Sequence, residues 1–235
     1  MTDTPPPATR FPDADALADA LAKQIAADLT GAIAVRGIAS LLVPGGRSPI
    51  KLFEILRAQT LDWRRVHVAL ADERWVAADD PDSNERLVRD VLLQENAAAA
   101  RFNGLKNAAA TPQLGAAAAW NAFADIPRPF DVIVLGMGDD GHTASLFPGS
   151  VNLAAALDPD AAPGCIGMSA PSAPRERLSL NLAALLDSRR IVILITGASK
   201  WQTYTAANRS GAVEQMPVRA LLRQRRTPVE VAWSP

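Results

Sequence analysis

The residue best suited to acid–base chemistry is His142, which ends the glycine-rich segment Gly136–His142, GMGDDGH. A neutral imidazole near pH 7 is well matched to taking a proton from water. Asp140 precedes this histidine by two residues and can orient its imidazole. The other histidine of the chain, His67, stands at the start of an apolar run, so we expect it to be structural. These residues predict general-base catalysis centred on His142.

The same segment matches the pattern G-x-G-x-x-G, which after a strand can bind the pyrophosphate of a dinucleotide. Here Asp139 and Asp140 stand where the pyrophosphate would approach the backbone amides, and two carboxylates would repel it. Proline residues at positions 148, 159 and 163 also interrupt the expected βαβ continuation. We therefore predict that the glycines shape a loop presenting His142, and that no dinucleotide cofactor binds.

A second glycine-containing segment, Gly45–Pro49, lies between an apolar run and an apolar helical stretch. The backbone N–H groups of Gly45 and Gly46 can converge on an anion, the helix dipole adds to that attraction, and Arg47 supplies a formal charge. Ser48 suits the N-cap of the following helix, with proline at the first helical position. An anion-binding loop and an ordinary tight turn both remain open from these residues alone.

Two more charged segments follow apolar runs. The apolar run 66–71 is followed directly by Asp72, Glu73 and Arg74. These three charges are explained either by a ligand-binding site or by a structural ion pair. Lys200 lies in the first turn of a helix that follows a glycine turn. A cation there opposes the helix dipole, and this conflict is best explained if Lys200 faces a bound anion.

The elements that must position these residues alternate between strand and helix patterns. The apolar runs lack the alternation of a half-exposed strand, which is typical of strands buried on both faces of a parallel sheet; they span 38–43, 66–71, 130–135, 191–195 and 229–233. Apolar stripes at helical spacing are typical of amphipathic helices; they include Leu17, Leu21, Ile25 and Leu29 after a cap at Asp13, and Leu87, Val88, Val91 and Leu92 after a cap at Asp82.

We predict an α/β fold, a doubly wound, mainly parallel sheet with helices on both faces. Residues 13–235 form a single domain in this interpretation, after a flexible N-terminal tail over residues 1–12. The proline-rich stretch 157–174 carries either a short strand at Cys165–Ser169 or an excursion over the site. Because ligands of such sheets bind beyond the carboxyl ends of the strands, the four polar segments are expected to form one site for a phosphorylated small molecule.

Composition narrows the function further. The chain has 235 residues, 49% of them hydrophobic, and a formal net charge of −1, so no global field favours nucleic acid or an anionic membrane. A single cysteine, Cys165, rules out an internal disulfide and a cysteine metal cluster. We expect a cytoplasmic protein without metal or cofactor, either a monomer or a small homo-oligomer.

At this point the residues resemble a known family, 6-phosphogluconolactonase, within the glucosamine-6-phosphate isomerase/6-phosphogluconolactonase group. The segment GMGDDGHTASLFPG from Gly136 to Gly149 resembles the family signature, and DERWVAADDPDSN from Asp72 to Asn84 resembles its second motif. The resemblance covers nearly the whole chain after the tail and implies the Rossmann-like sugar-phosphate isomerase/lactonase fold. In the glycine loop, Pro44 and Arg47 replace two serines and Ser48 replaces a threonine, changes that leave backbone contacts possible.

The resemblance implies hydrolysis of 6-phospho-D-glucono-1,5-lactone to 6-phosphogluconate, the second step of the oxidative pentose phosphate pathway. His142 would be the general base, assisted by Asp140 or Asp72. Arg74 and the loop amides would stabilise the oxyanion, and Asp72 would bind a sugar hydroxyl or position water. The phosphate would be held by residues of the glycine loop and by two more distant cations: Gly45, Gly46, Arg47, Ser48, Arg177 within RLSLN and Lys200 within TGASK.

Two other functions compete. Glucosamine-6-phosphate deaminases share the Asp-Gly-His element but differ in the residues after the histidine, and they tend to have an aromatic residue where Arg74 stands. A non-catalytic sugar-phosphate sensor usually carries a DNA-binding module, and we find neither a helix-turn-helix pattern nor a basic face; Arg223, Arg225 and Arg226 are interpreted as a solvated helix end. A serine nucleophile at Ser145 lacks the surrounding elbow motif.

Overall fold

A computed structural model describes residues 8–235 and places seven parallel strands in its central sheet. These strands are β1 (Ala8–Arg10), β2 (Ala39–Val43), β3 (Val66–Leu70), β5 (Arg101–Asn103), β6 (Val132–Leu135), β9 (Ile191–Thr196) and β10 (Val229–Ser234). Their order across the sheet is β1-β10-β9-β6-β2-β3-β5, with every neighbouring pair parallel. All five apolar runs predicted as strands are strands of this sheet.

The chain moves outward from the centre of the sheet in both directions. From β2 it passes to β3 and β5 on one side, and from β6 it passes to β9 and β10 on the other. Since parallel crossovers are right-handed, helices of the two halves pack on opposite faces, as a doubly wound sheet requires. The strand order therefore changes direction between β2 and β6, and the carboxyl ends of these two strands are where ligands bind in such folds.

A second sheet of three antiparallel strands lies beside the first. It consists of β4 (Asp72–Arg74), β7 (Cys165–Ser169) and β8 (Glu176–Leu180), in the order β4-β8-β7. The open question about the stretch 157–174 is thereby answered: Cys165–Ser169 is a strand. The charged segment that follows β3 is also a strand, a pairing that its polar composition did not predict.

Eight α-helices flank the sheets within residues 8–235: α1 (Ala14–Arg36), α2 (Ile50–Arg57), α3 (Asn84–Leu87), α4 (Pro112–Asn121), α5 (Leu153–Ala156), α6 (Leu182–Leu186), α7 (Gly197–Ala207) and α8 (Val218–Arg223). Shorter turns are 3₁₀-helical at Trp63–Arg65, Glu95–Ala99 and Val213–Gln215, and π-helical at Val88–Leu92. No helix in this part of the chain combines the length and apolarity needed to cross a bilayer.

Helix α1 follows the predicted pattern. The Asp13 carboxylate accepts a hydrogen bond from the backbone N–H of Ala16 at 2.8 Å, which caps the helix start. Gly37 ends the helix with a left-handed φ of 78°, a conformation that glycine adopts without a steric penalty. The apolar stripe of this helix is buried against the core, which is formed around the fully buried strands β2, β3 and β6.

Two predicted helix caps were wrong. Helix α3 is capped by Ser83, whose hydroxyl accepts from the N–H of Arg86, and not by Asp82. Helix α2 begins at Ile50 without a side-chain cap, so Ser48 does not serve as one. In the first case Glu73 accepts from the N–H groups of Asn84 and Glu85, which Asp82 would otherwise have capped. In the second, Ser48 lies in an exposed turn that precedes the helix.

The flexible N-terminal tail was predicted for residues 1–12, of which residues 1–7 lie outside the described part of the chain. Ala8–Arg10 pair with β10 and extend the sheet, and the N–H of Phe11 donates to the carbonyl of Trp233 at 2.8 Å. The guanidinium of Arg10 lies 4.3 Å from the ring centroid of Trp201. The strand at Ala8–Arg10 forms because β10 offers its free edge, and a Pro/Thr-rich composition does not reveal such a partner.

Candidate active site

A cavity of about 450 Å³ opens at the carboxyl ends of β2, β6 and β9, where the strand order changes direction. Strands β4 and β8 supply part of its wall. Of the site residues predicted from the sequence, all but Asp140 line this cavity: Gly45, Gly46, Arg47, Ser48, Asp72, Arg74, His142, Arg177 and Lys200. The fold therefore brings together segments that are more than 150 positions apart in the chain.

His142 and Asp140 form a hydrogen-bonded pair at the cavity. The Nδ1 atom of His142 lies 2.6 Å from Oδ1 of Asp140, and the same oxygen accepts from the backbone N–H of His142 at 3.0 Å. Burial raises the pKa of Asp140, but the hydrogen bonds from His142 outweigh that effect and leave the pKa below its ordinary value. The carboxylate therefore stays ionised near neutral pH and can hold the imidazole in one tautomer.

Glycine at position 138 is required for this pair to pack against the loop. A Cβ atom at Gly138 would fall 2.0 Å from Nδ1 of His142 and 2.6 Å from Oδ1 of Asp140. Gly141 in the same loop has a φ of 78° and packs against Met216, where a Cβ atom would fall 2.8 Å from Cβ of Met216. The ring of Phe147 lies 4.3 Å from the imidazole, centroid to centroid. The glycines of this loop thus present and position His142.

Asp72 has a different partner. Its Oδ2 accepts from the hydroxyl of Ser145 at 2.6 Å, and both side chains are buried apart from the face of Asp72 that lines the cavity. Of the two aspartates weighed from the sequence as partners of His142, the one in contact with the imidazole is Asp140. The hydroxyl of Ser145 thereby holds the Asp72 carboxylate in place at the cavity wall.

Arg177 is a buried cation without a compensating partner. The side chain is 7% exposed, lines the cavity, and makes neither a hydrogen bond nor an ion pair with residues 8–235; its Nε atom is fully buried and unpartnered. Burial, and next the nearby guanidinium of Arg74, lower the pKa of Arg177 below its ordinary value. A buried, unpaired guanidinium is costly, so this position favours a bound anion.

Lys200 lies across the cavity in the first turn of α7. Its ammonium donates to the backbone carbonyl of Met137 and lies 3.7 Å from the carboxylate of Asp139. Asp139 also accepts from the hydroxyl of Ser199 at 3.0 Å. Lys200 therefore both lines the cavity and braces the loop that carries His142, a second contact that the sequence did not indicate.

The glycine loop forms the cavity's exposed rim. Gly46 has a φ of 82°, and the side chains of Arg47 and Ser48 are exposed. Arg47 has no hydrogen-bond or ion-pair partner in the described chain, so its charge is available to a ligand. Arg74 is half-buried, and its guanidinium donates to the carbonyl of Asp82.

Asn84 is one of the residues of the cavity wall that sequence reasoning missed. Its Nδ2 donates to the backbone carbonyl of Asp72 at 2.9 Å, and its carboxamide lies against Gly45, where a Cβ atom would fall 1.7 Å from Oδ1. Asn84 is the last residue of the segment Asp72–Asn84, whose first three residues are charged. Its buried position at a helix start, ten residues after the strand, depends on a tertiary contact with Glu73.

Two residues weighed in the sequence lie away from the cavity. His67 is buried in β3, where its Nδ1 lies 3.4 Å from Oδ1 of Asn103, and burial lowers its pKa. Cys165 lies in β7, and burial raises the pKa of its thiol to about 12. Neither side chain is prepared for chemistry. The described residues contain no group of three or more His, Cys, Asp or Glu side chains arranged to hold a metal ion.

Comparison with known proteins agrees with this geometry. The family model described as glucosamine-6-phosphate isomerases/6-phosphogluconolactonase matches residues 12–233. A 6-phosphogluconolactonase of Rhizobium meliloti (strain 1021) is 45% identical over 96% of this chain and 97% of its own length. One from Pseudomonas aeruginosa is 46% identical, over 92% of this chain and 89% of its own length.

Solved structures show the same relationship. The crystal structure of a 6-phosphogluconolactonase from Shewanella baltica OS155 superposes with a TM-score of 0.94 at 46% identity, covering 98% of both chains. A monomeric glucosamine-6-phosphate deaminase superposes with a TM-score of 0.78 at 18% identity, covering 97% of both chains, and at that identity it shares only the fold. The chain therefore belongs to the family of glucosamine-6-phosphate isomerases and 6-phosphogluconolactonases.

Proposed function

We propose that this protein hydrolyses 6-phospho-D-glucono-1,5-lactone to 6-phospho-D-gluconate, the second step of the oxidative pentose phosphate pathway. It is a carboxylic ester hydrolase acting on a sugar phosphate. The name that its 45% and 46% identical relatives carry supports this function.

The observation that carries the proposal is one cavity holding both a base and an unpaired buried cation. The His142–Asp140 pair supplies the base, and Arg177 supplies a guanidinium that lacks an internal partner. Lys200 and Arg47 line the same space. A substrate with a phosphate at one end and an electrophilic carbon at the other fits this division, and binding the remote phosphate aligns the reacting carbonyl.

His142 acts as the general base. With Nδ1–H donating to Asp140, the Nε2 atom is unprotonated and accepts a proton from water. The water oxygen forms a bond to C1 of the lactone, and the carbonyl oxygen becomes an oxyanion. The bond from C1 to the ring oxygen then breaks, and the imidazolium returns its proton to that oxygen. The products are a free hydroxyl and a carboxylic acid, which releases its proton to solvent and becomes the carboxylate, and the histidine is restored.

The other polar residues stabilise charge and position the sugar. Arg74 and the backbone amides of the loop that carries His142 are suited to the developing oxyanion, because preorganised donors lower the energy of that charge. Arg177, Lys200 and Arg47 bind the phosphate together with Gly45, Gly46 and Ser48. Asp72, held by Ser145, accepts a hydrogen bond from a sugar hydroxyl or positions the attacking water. An ester carbonyl is already electrophilic, so this scheme uses amino-acid side chains alone.

The location and assembly of the protein stay predictions. A single free thiol and a phosphorylated substrate, which does not cross a membrane unaided, support a cytoplasmic protein. We also retain the expectation of a monomer or small homo-oligomer.

The experiment generates the lactone in situ and follows its loss against the spontaneous rate, with glucosamine 6-phosphate tested in parallel. We expect acceleration of lactone hydrolysis and no release of ammonia. Deaminase activity without lactonase activity would overturn the proposal in favour of the isomerase branch of the family. Tight binding of 6-phosphogluconate without any turnover would favour the sensor.

A further inference from the structure

Glu73 is a fully buried carboxylate on β4 that the proposed reaction does not use. Its Oε1 accepts from the backbone N–H groups of Arg74 and Asn84, both at 2.7 Å. Its Oε2 accepts from the N–H of Glu85 at 2.8 Å and from the hydroxyl of Ser83 at 3.2 Å. All four contacts go to the two ends of one excursion of the chain, which leaves β4 at Arg74 and returns at Ser83.

The returning end places Asn84 between two parts of the cavity. Its Nδ2 donates to the backbone carbonyl of Asp72, next to the side chain that faces the substrate. Its carboxamide lies against Gly45, so closely that a Cβ atom there would fall 1.7 Å from Oδ1. Asn84 therefore spaces the glycine loop, which receives the phosphate, from β4, which faces the reacting end.

The chemistry of Asn84 is poorly suited to a purely structural spacer. The Oδ1 atom is buried and has no hydrogen-bond partner within residues 8–235. Exchanging the amide oxygen and nitrogen would set two acceptors against each other at the Asp72 carbonyl, so the orientation is fixed. A buried acceptor without a partner costs about 1–3 kcal/mol, which an apolar side chain would avoid.

We propose that Glu73 and Asn84 are positioning residues for the reaction: the Glu73 carboxylate anchors residues 83–85, and Asn84 thereby holds the glycine loop in register with the Asp72 side of the cavity. The inference rests on the proposed lactone hydrolysis. Phosphate binding and attack at C1 use opposite ends of one small substrate, so a shift of the loop by about 1 Å misaligns the carbonyl and lowers turnover by on the order of 10²-fold.

Protonation of Glu73 bears on the same contacts. Burial raises its pKa to about 6, against the opposing effect of the backbone hydrogen bonds. A protonated carboxyl has less capacity to accept, so the anchor weakens below that pH. The charged groups around it are Asp72 and Arg74 on its own strand, Asp82 and Glu85 in the returning segment, and Arg177 on β8.

The first test compares Asn84→Ala with Asn181→Ala. Asn181 is a buried asparagine outside the cavity, and its Oδ1 accepts from the N–H groups of Ala184 and Gly164 at 2.9 and 3.1 Å. We expect Asn84→Ala to lower kcat/KM by on the order of 10²-fold, mainly through kcat, with a thermal unfolding midpoint close to that of the wild type. Asn181→Ala should lower the midpoint and leave kcat/KM unchanged.

The second test is the pH profile of Glu73→Gln, with Asp131→Asn as control. Asp131 is a buried carboxylate at the opposite end of the sheet that accepts from the N–H of Ser40 at 2.9 Å. In the wild type and in Asp131→Asn, log(kcat/KM) should fall more steeply below about pH 6 than in Glu73→Gln, because both proteins carry a Glu73 carboxylate that gains a proton there. Glu73→Gln should show the shallower slope, from a lower plateau.

The outcomes separate this inference from the function on which it rests. A wild type that does not accelerate lactone hydrolysis defeats the proposed function itself. An active wild type with Asn84→Ala matching Asn181→Ala, or with equal slopes for Glu73→Gln and the wild type, overturns the positioning role alone. If Glu73→Gln fails to fold, Asn84→Ala still decides, since it leaves the four hydrogen-bond donors to the Glu73 carboxylate in place.

Discussion

The imidazole Nδ1 of His142 lies 2.6 Å from the carboxylate of Asp140, while the carboxylate of Asp72 accepts a 2.6 Å hydrogen bond from the hydroxyl of Ser145. Asp140 and Asp72 thus have separate partners. In the proposed mechanism Asp140 orients the base, and Asp72 is left for the substrate or the attacking water.

Replacing Asp140 by asparagine should lower kcat by on the order of 10²-fold or more, because an amide can stabilise the wrong tautomer of His142. The shape of the side chain is preserved, so the far-ultraviolet circular dichroism and KM should change little. Steady-state kinetics on the lactone measure the effect. A variant with normal kcat would separate Asp140 from the proposed base.

Gly138→Ala should inactivate the enzyme without touching a catalytic side chain. The new Cβ would fall 2.0 Å from Nδ1 of His142, so the imidazole or the loop must move. Gly31→Ala on α1 is the matched control, since no atom lies within 4 Å of a Cβ there, and it should leave kcat unchanged. Equal activity of both variants would show that the loop accommodates the methyl group without displacing the histidine.

Lys200→Ala and Arg177→Ala should mainly raise KM, because both remove a positive charge from the phosphate end of the cavity. Each charge-assisted contact is worth about 1.5–3 kcal/mol, or roughly a 10- to 150-fold change in binding. Lys200→Ala should in addition lower kcat, since it frees the Met137 carbonyl that braces the His142 loop. Inhibition by inorganic phosphate gives an independent readout, and unchanged KM in both variants would contradict the phosphate assignment.

Glu73 should make the wild type relatively more stable in mild acid. Its folded-state pKa of about 6 lies above the ordinary value of 4.5, so the folded protein holds this proton more tightly. The resulting stabilisation is fully present below about pH 4.5 and is lost as the pH rises through about 6. The free energy of unfolding of the wild type, minus that of Glu73→Gln, should therefore be up to about 2 kcal/mol larger at pH 4.5 than at pH 7.

Urea unfolding of both proteins at several pH values between these limits measures that difference. The comparison with the variant cancels the titration of the other carboxylates. A difference that grows as the pH rises would have the wrong sign for a buried carboxyl and would contradict the environment described for Glu73.

The parts of the molecule that follow from local pattern were predicted correctly. The five apolar runs became parallel strands, because continuous Val and Ile runs satisfy burial on both faces. The residues after those strands met at one cavity, because parallel strands end on the same edge. Gly45 and Gly138 lie where a neighbouring side chain comes close, and Gly46 has a left-handed φ of 82°.

The features that were missed depend on contacts between distant segments. The pairing of Asp72–Arg74 with β8 joins positions about a hundred residues apart, and no local periodicity announces it. The cap of α3 was placed one residue early because the carboxylate that receives its N–H groups comes from Glu73, outside the helix. The place of Asn84 in the cavity wall likewise depends on its contact with Gly45, which is 39 residues away in the chain.

The most direct test of the central claim is the rate of lactone hydrolysis by His142→Ala, measured above the spontaneous rate with lactone generated in situ. We predict that this variant keeps the fold and the affinity for 6-phosphogluconate, and that its kcat falls by on the order of 10² to 10⁴-fold. A folded His142→Ala variant with near-normal turnover would remove His142 from the mechanism and contradict the account.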